Sequence, residues 1–407
     1  MKRCIALLLV LATLLSFAAC SQETNTPGSS APTESTGNPT DPTKPPEELH
    51  EIYHRKNYTG SAEDVLAIRD TVIATMGENT LTVSMLHFYY WMGVYNFLST
   101  YGDYISQTGL DPSKPLNEQN CDANDGNWQH YFLDNALGSW RYYQALANEC
   151  DATNTPISEE YQALLDTFYD DMIKSAGENG FASIDALIQS DIGVCTSADD
   201  YYAYSELSYK AYTYYNKLRR ELEITDAMIE EYFTENEANL AVNGINKKTG
   251  DSCLVRHILI EVGTDKTDAD WEACRQEAQK LLDQWLAGDA TEESFAALAK
   301  EHSADPGSKA DGGLYSGLTD QTSFVTEFKE WYLKDGRKTG DYGLIKTAYG
   351  YHIMYFSGTE PIWQFYCREG LTDELHNKAV NAIIEKYDVQ VDYEKILLDE
   401  VKLMEDQ

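Results

Sequence analysis

From Ile5 to Ala19 every residue but Thr13 and Ser16 is apolar, behind a basic start at Lys2 and Arg3. The run is too short for a comfortable spanning helix, which needs about 20 residues. Residues 21–48 are the reverse. They are Ser-, Thr-, Gly- and Asn-rich, carry Pro27, Pro32, Pro39, Pro42, Pro45 and Pro46, and have almost nothing to bury, so they predict an extended tether. From Asp70 the texture changes. Asp70–Met76 predicts a strand and Gly77–Asn79 a turn, with Thr82 or Ser84 capping a helix that starts on Met85, Leu86 and Phe88. Helical spacing follows over about 127–149, 158–176, 197–222 and 226–238, and Ser158 with Glu159 and Glu160 marks a helix start. Residues 239–252 lose the pattern and predict a linker. Leu254–Ile260 then predicts a strand. Trp271, Cys274, Ala278, Leu281, Leu282 and Trp285 recur at helical spacing over 268–287. A shorter helix is expected at Phe295–Lys300, Gly-rich turns after it, a strand at Tyr351–Phe356, a long helix near 363–386 and a charged tail at 392–405.

The first twenty residues have the order of an export signal: a basic start, an apolar run, then the small pair Ala18–Ala19 before Cys20. A cysteine directly after that pair resembles a bacterial lipobox, which implies that Cys20 is the lipidated first residue of the mature chain. Phe17 departs from the usual Leu. Ordinary cleavage to a soluble secreted protein is the competing reading. An anchored domain needs a spacer, which residues 21–60 supply.

The formal charge is −36, from 31 basic and 67 acidic residues. Such a surface repels phosphate backbones and anionic headgroups, so it argues against nucleic acid and against a basic membrane patch. It suits solubility first, and basic unfolded clients second. Cys121, Cys150, Cys195, Cys253, Cys274 and Cys367 form no CxxC pair, which argues against a zinc knuckle. Export permits disulfides, but the sequence pairs none of them. The helix at 197–222 carries Tyr201, Tyr202, Tyr204, Tyr209, Tyr212, Tyr214 and Tyr215. These side chains can pack a helical core or line an adaptable groove for unfolded chains.

Four short pieces stand in order over the second half: Arg256-His257-Ile258-Leu259, Ser303-Ala304-Asp305-Pro306-Gly307-Ser308, Asp311-Gly312-Gly313-Leu314, and Thr347 to Ile353 with Tyr349-Gly350-Tyr351-His352 at its centre. Together, with helices in the expected gaps, they resemble the parvulin family of prolyl isomerases. The resemblance implies two histidines, His257 and His352, on adjacent central strands, with Asp305 at the position that the family fills with Asp or Cys. It implies an apolar wall for the proline ring at Leu314, Phe324 and Phe328. Thr347 and Tyr349 take the polar and aromatic positions before the second histidine. More loosely, Thr71–Thr82 and Ile224–Phe233 resemble the opening and the pre-isomerase helix of the PrsA/SurA foldases. The implied fold is α+β: a helical chaperone-like domain, made of an N-terminal segment and a C-terminal helix, with an inserted parvulin domain of a small antiparallel sheet flanked by helices. The implied boundaries are a lipoprotein signal at 1–20, a tether at 21–60, a helical segment at 61–250, the isomerase domain at 251–358, and at 359–407 a C-terminal helix packing on the N-terminal segment.

The implied reaction makes and breaks no covalent bond. Rotation about an X–Pro bond faces about 18–20 kcal/mol of amide resonance. A catalyst needs an apolar seat for the proline ring and a fixed polar group that favours the twisted amide. Paired histidines then serve orientation rather than proton transfer. No cofactor and no metal is implied. The implied partners are unfolded or extended polypeptides containing X–Pro bonds, and a membrane reached through the lipid on Cys20 at the outer face of a bacterial cell membrane. The oligomeric state stays open, a dimer included. The chain departs from the family's G-G-D-L-G. Leu314 directly follows Gly313, Tyr315 replaces the glycine, and residues 337–343 form a longer loop. An altered pocket rim is therefore expected.

Other readings compete. His257, His302 and His352 with Asp305 include metal-ligand types, but no HxxH or HExxH spacing joins them. Ser303 among histidines suggests a hydrolase, but no G-x-S-x-G elbow is present. An inactive parvulin-like holdase remains open. A lipid-anchored solute-binding protein is disfavoured, because no alternating βα units occur.

Overall fold

The computed structural model describes residues 56–399 except 124, 125 and 264. The export segment, Cys20, the tether as far as 55 and residues 400–405 of the charged tail lie outside the described residues. The chain forms two compact units: residues 56–222 with 375–399, and residues 223–374.

The first unit is built on helices Val83–Tyr101, Trp128–Ala152, Glu159–Glu178, Ile184–Asp191 and Ala198–Arg220. Each starts on a side-chain cap: Thr82, Asn127, Ser158, Ser183 and Ser197 accept from the backbone N–H three residues on, satisfying donors that a helix start leaves open. The tyrosines of the last helix go mostly into packing. Tyr201, Tyr209 and Tyr214 are buried, Tyr209 stacks on Tyr161, and the Tyr212 and Tyr143 hydroxyls meet at 2.9 Å. The predicted strand is Val72–Met76, which pairs with Asn79–Thr82. Its other edge takes Gln390–Val391, and Leu398–Asp399 runs parallel to Thr59–Gly60. The charged tail read at 392–405 thus holds a strand at Leu398–Asp399, and a second strand, Gln390–Val391, lies just before it. The Asp399 carboxylate lies 3.0 Å from the fully buried His87. Burial disfavours the imidazolium, but Asp399 and Cys195 outweigh it and push His87 up to about 10. The six cysteines among the described residues are free thiols.

In the second unit the sheet comprises β1 (Asp251–Glu261), β2 (Leu314–Leu318), β3 (Tyr342–Lys346) and β4 (Gly350–Pro361). The spatial order is β2-β1-β4-β3, antiparallel throughout. Strands β2 and β3 were expected only as turns and loop. Helices α1 (Asp268–Ala287) and α2 (Glu292–His302) each begin in a capping box, at Thr267 and Thr291. They cover one face, where Ile258, Ile353 and Tyr355 pack on Leu281, Trp285 and Phe295. The other face carries Val255, Met354 and Phe356 against Leu318 and against Phe328 and Tyr332 of the short helix α3 (Thr326–Tyr332). The expected linker at 239–252 is partly ordered structure. Helix Asp226–Val242 runs into it, and Ile245 is buried with Ile229, Phe233, Trp363 and Cys367. A lone apolar residue beyond a helix end has no period to betray it.

Two glycines fix this sheet. At Gly313 (φ +76°) a Cβ would stand 2.2 Å from the His257 carbonyl oxygen, and at Gly350 (φ +153°) 2.0 Å from that of Ile260. Both conformations belong to glycine, and both contacts are with backbone that cannot yield. Gly336 has a similar φ of +78° but open space around it. Gly336→Ala is therefore expected to cost about 1 kcal/mol from backbone strain alone, and Gly313→Ala at least about 2 kcal/mol more. Urea unfolding of the two variants checks this. Equal losses would show that the contact with His257 does not constrain the turn.

Candidate functional site

The site begins with register. Strands β1 and β4 pair with Leu259 opposite His352 and His257 opposite Met354. The two histidines are thus diagonal neighbours on one face, within reach of each other. Their Nδ1 atoms are 3.0 Å apart, and both residues are buried. Asp305 arrives from the loop after α2. Ser303, fully buried, accepts from the Leu259 N–H at 3.1 Å and the Asp305 N–H at 3.2 Å, while the Ala304 N–H donates to the Leu259 carbonyl at 2.8 Å. This clamp lays the loop along β1 and brings Asp305 Oδ2 to 2.9 Å from His257 Nε2. It also accounts for Ser303 as a backbone acceptor, not a nucleophile. His302 does not join the cluster; it lies 3.5 Å from Glu301.

A chain of hydrogen bonds results. Thr347, held by the tight turn in which its N–H bonds the Gly350 carbonyl, has Oγ1 2.9 Å from His352 Nε2. Asp305 Oδ2, an acceptor when ionised, accepts a hydrogen bond from His257 Nε2–H. The facing Nδ1 atoms can share only one proton between them. Either His352 donates it while accepting from Thr347, or His257 donates it while His352 Nε2–H donates to Thr347. In both arrangements His352 is neutral. Burial and then the charge of His257 drive its pKa down to about 3, against an opposing pull from Asp305. Burial also pushes the Asp305 carboxyl up, but hydrogen bonds from His257, Ser308 and Tyr315 more than offset this and hold it at about 2.

Beside the imidazoles stands an aromatic wall. Phe328 presents its edge to His257 and His352 at 5.2 and 5.7 Å, and Phe324 stacks on Phe328 at 4.9 Å. An open groove lined by Phe324, Thr326, Lys329, Glu330 and Leu333 borders it. The expected apolar wall thus forms from Phe324 and Phe328. Leu314 is not brought to it: it pairs with Arg256, and successive side chains alternate between faces, so it shares the Arg256 face and not that of His257. The residue on the His257 face is Tyr315, opposite Val255. Tyr349 also stays apart, 60% exposed in the β3–β4 turn, held through its backbone: its N–H donates to Thr347 Oγ1 at 3.2 Å and its carbonyl accepts from the Val262 N–H at 3.1 Å.

Two polar contributors were not singled out from the sequence. Ser308 Oγ hydrogen-bonds Asp305 Oδ2 and lies 3.1 Å from His257 Nε2, and Tyr315 OH donates to Asp305 Oδ2 at 3.0 Å. Ser308 sits inside a quoted motif, so spacing could have flagged it. Tyr315 was visible as a departure from glycine.

Residues 240–359 match the family described as the PPIC-type PPIASE domain. The chaperone SurA of Pseudomonas fluorescens is 35% identical over 117 residues, 28% of this chain and 25% of that protein. The foldase protein PrsA of Caldanaerobacter subterraneus subsp. tengcongensis is 30% identical over 181 residues, 44% of this chain and 49% of that protein. The chain thus spans only a quarter to a half of these relatives' length. Among solved structures, PrsA from Bacillus subtilis aligns over 68% of this chain and 89% of its own at 20% identity, with a TM-score of 0.31.

The His352 pKa makes stability depend on pH. Folded, His352 takes a proton only near pH 3; unfolded, it does so near about 6.5. Between those values the unfolded chain holds the extra proton, so stability falls as pH falls from about 6.5. Asp305, depressed to about 2 from about 3.9, adds a loss of the same sign lower down. The slope contributed by His352 approaches about 1.4 kcal/mol per pH unit. Urea unfolding between pH 7 and pH 4, followed by NMR signals of the second unit, is expected to show this slope, and His352→Leu to flatten it. An unchanged slope in the variant would count against a buried neutral imidazole.

Proposed function

We propose that this chain, which carries a PPIC-type PPIase domain over residues 240–359, is an exported peptidyl-prolyl cis–trans isomerase and foldase acting on unfolded polypeptides. The observation that carries the reading is the convergence of His257, His352 and Asp305 beside the Phe324–Phe328 wall.

The chemistry follows from the desolvated setting. A proline ring seated on the phenyl rings places its preceding carbonyl near the Asp305–His257 pair and strips water from it. In the planar amide, resonance puts negative charge on that oxygen; in the twisted amide, the nitrogen becomes pyramidal and basic. A dry environment destabilises the charge-separated planar form, and a fixed carboxylate beside the oxygen does so further. His257 and His352 hold that carboxylate and move no proton in the step. Ser303 is engaged by backbone, so no acyl or covalent route competes.

The first unit fits the holding of clients. Tyr169 and Ile173 stand exposed along helix Glu159–Glu178 among Asp166, Asp170 and Asp171, a surface that suits unfolded segments carrying both apolar and basic side chains. Export and a lipid on Cys20 rest on the basic–apolar–small–Cys order of residues 2–20 and on the polar spacer that follows. Insertion of an isomerase unit between an N-terminal segment and a C-terminal helix is part of this reading; the compact units divide at 222/223 and 374/375 rather than at 250/251 and 358/359.

In a protease-free peptide assay the chain is expected to accelerate X–Pro exchange. Asp305→Ala and His257→Ala should each lower kcat/KM at least about ten-fold with circular dichroism unchanged. Full activity in both variants would overturn the site. No acceleration by the wild-type chain, with suppression of client aggregation intact, would leave a holdase. For the anchor, Cys20→Ser is expected to shift the expressed protein from the membrane fraction to the medium and to abolish incorporation of labelled fatty acid; labelling that persists would sink the lipidation reading.

A further inference from the structure

The isomerase site holds a phenol that its assigned parts do not explain. Tyr315 lies on the edge strand β2, on the same face as His257. Its ring stacks on His257 at 5.5 Å with 27° between the planes and meets Phe324 edge-on at 4.9 Å. Its hydroxyl reaches Asp305 Oδ2 at 3.0 Å. One residue therefore touches the imidazole, the apolar wall and the carboxylate at once.

The donors around Asp305 are all on one side. His257 Nε2, Ser308 Oγ and Tyr315 OH converge on Oδ2, and none of the three reaches Oδ1. The carboxylate keeps 18% of its side chain exposed. A carboxylate pinned through one oxygen presents the other in a fixed direction. Ser308 is three residues away and moves with the same loop. His257 belongs to the strand beneath. His257 ties Asp305 to Phe328, and Tyr315 ties it to Phe324, the ring that borders the open groove.

Resting on the isomerase reading above, we propose that Tyr315 is a positioning residue: its hydroxyl fixes the rotation of the Asp305 carboxylate so that Oδ1 faces the bound amide, and its ring links that orientation to occupancy of the Phe324–Phe328 wall. The ligand class is the X–Pro amide itself, and the tyrosine touches the carboxylate rather than the reacting bond. Motion of Phe324 on proline binding is carried to the Tyr315 ring and from there to Asp305. Binding of the proline ring and alignment of the carboxylate become one event.

Tyr315→Phe separates this role from simple packing, since it keeps the ring against His257 and Phe324 and removes only the donor. In the full chain, the variant is expected to lose about ten-fold in kcat with KM changed less than about two-fold, because the oriented oxygen matters most in the twisted state. In the same variant, a side-chain carboxyl carbon NMR titration should move Asp305 upward by about one pH unit, as a charge-assisted hydrogen bond is lost. Unchanged kcat with active wild type overturns the positioning role while leaving the isomerase intact. An inactive wild type overturns the isomerase reading. In that case an Asp305 titration unmoved by Tyr315→Phe overturns the contact itself, and a shifted one sustains it. Loss of kcat and rise of KM together, with a lower melting temperature, would mean packing only.

Discussion

Everything in the second unit answers to one contact: two imidazoles meeting nitrogen to nitrogen in a dry interior. A buried histidine pair of this kind tolerates little error. One nitrogen must carry a hydrogen and the other must not, and both outer nitrogens need partners, because an unpaired buried polar atom costs about 1–3 kcal/mol. Thr347 and Asp305 provide those ends. The pair can form only if β1 and β4 are adjacent and antiparallel with Leu259 opposite His352. A slip of one residue would turn both rings to opposite faces. Gly313 and Gly350 let backbone approach β1 more closely than any side chain allows, so they guard the register rather than the chemistry.

The same contact sets the electrostatics. Burial that keeps His352 neutral also removes the water that would screen Asp305. The carboxylate stays charged there because three donors reach one of its oxygens. Phe328 closes the space beside both rings. The polar chain and the apolar wall are therefore not separate parts. The wall gives the network its low dielectric, in which a fixed charge counts for more than in water. The network gives the wall a rigid floor.

Much of this was legible before any coordinates. The amphipathic period over 268–287 coincides with α1, and the four motifs gave both histidines and the aspartate, because a site spread over turns and strand ends leaves its residues in short fixed strings. What failed was phase. Leu314 was assigned to the wall by its place after the glycines, but side chains on a strand alternate, and the missing residue between Gly313 and Leu314 hands the inward position to Tyr315. Strands β2 and β3 are five residues each and interrupted by Gly317 and Gly343, so no alternation accumulates to announce them. The two-residue strands at 390–391 and 398–399 are specified by partners more than 300 positions away in the chain, which no local pattern can encode.

That long reach separates the two units in kind. Residues 223–374 are continuous in the chain, and their sheet closes within them. The helical unit is not continuous. Its three-stranded sheet needs Gln390–Val391, its parallel pair needs Leu398–Asp399, and the fully buried His87 finds its carboxylate only at residue 399. In the closed core the Asp399 carboxylate lies 3.0 Å from His87, and a buried ionisable group deprived of its partner is strongly unfavourable. The second unit's sheet can therefore assemble from a contiguous stretch while the helical unit still lacks residues 375–399. The helical unit's closure therefore depends on residues 390–399, whereas the histidine pair at 257 and 352 draws its partners from within residues 223–374.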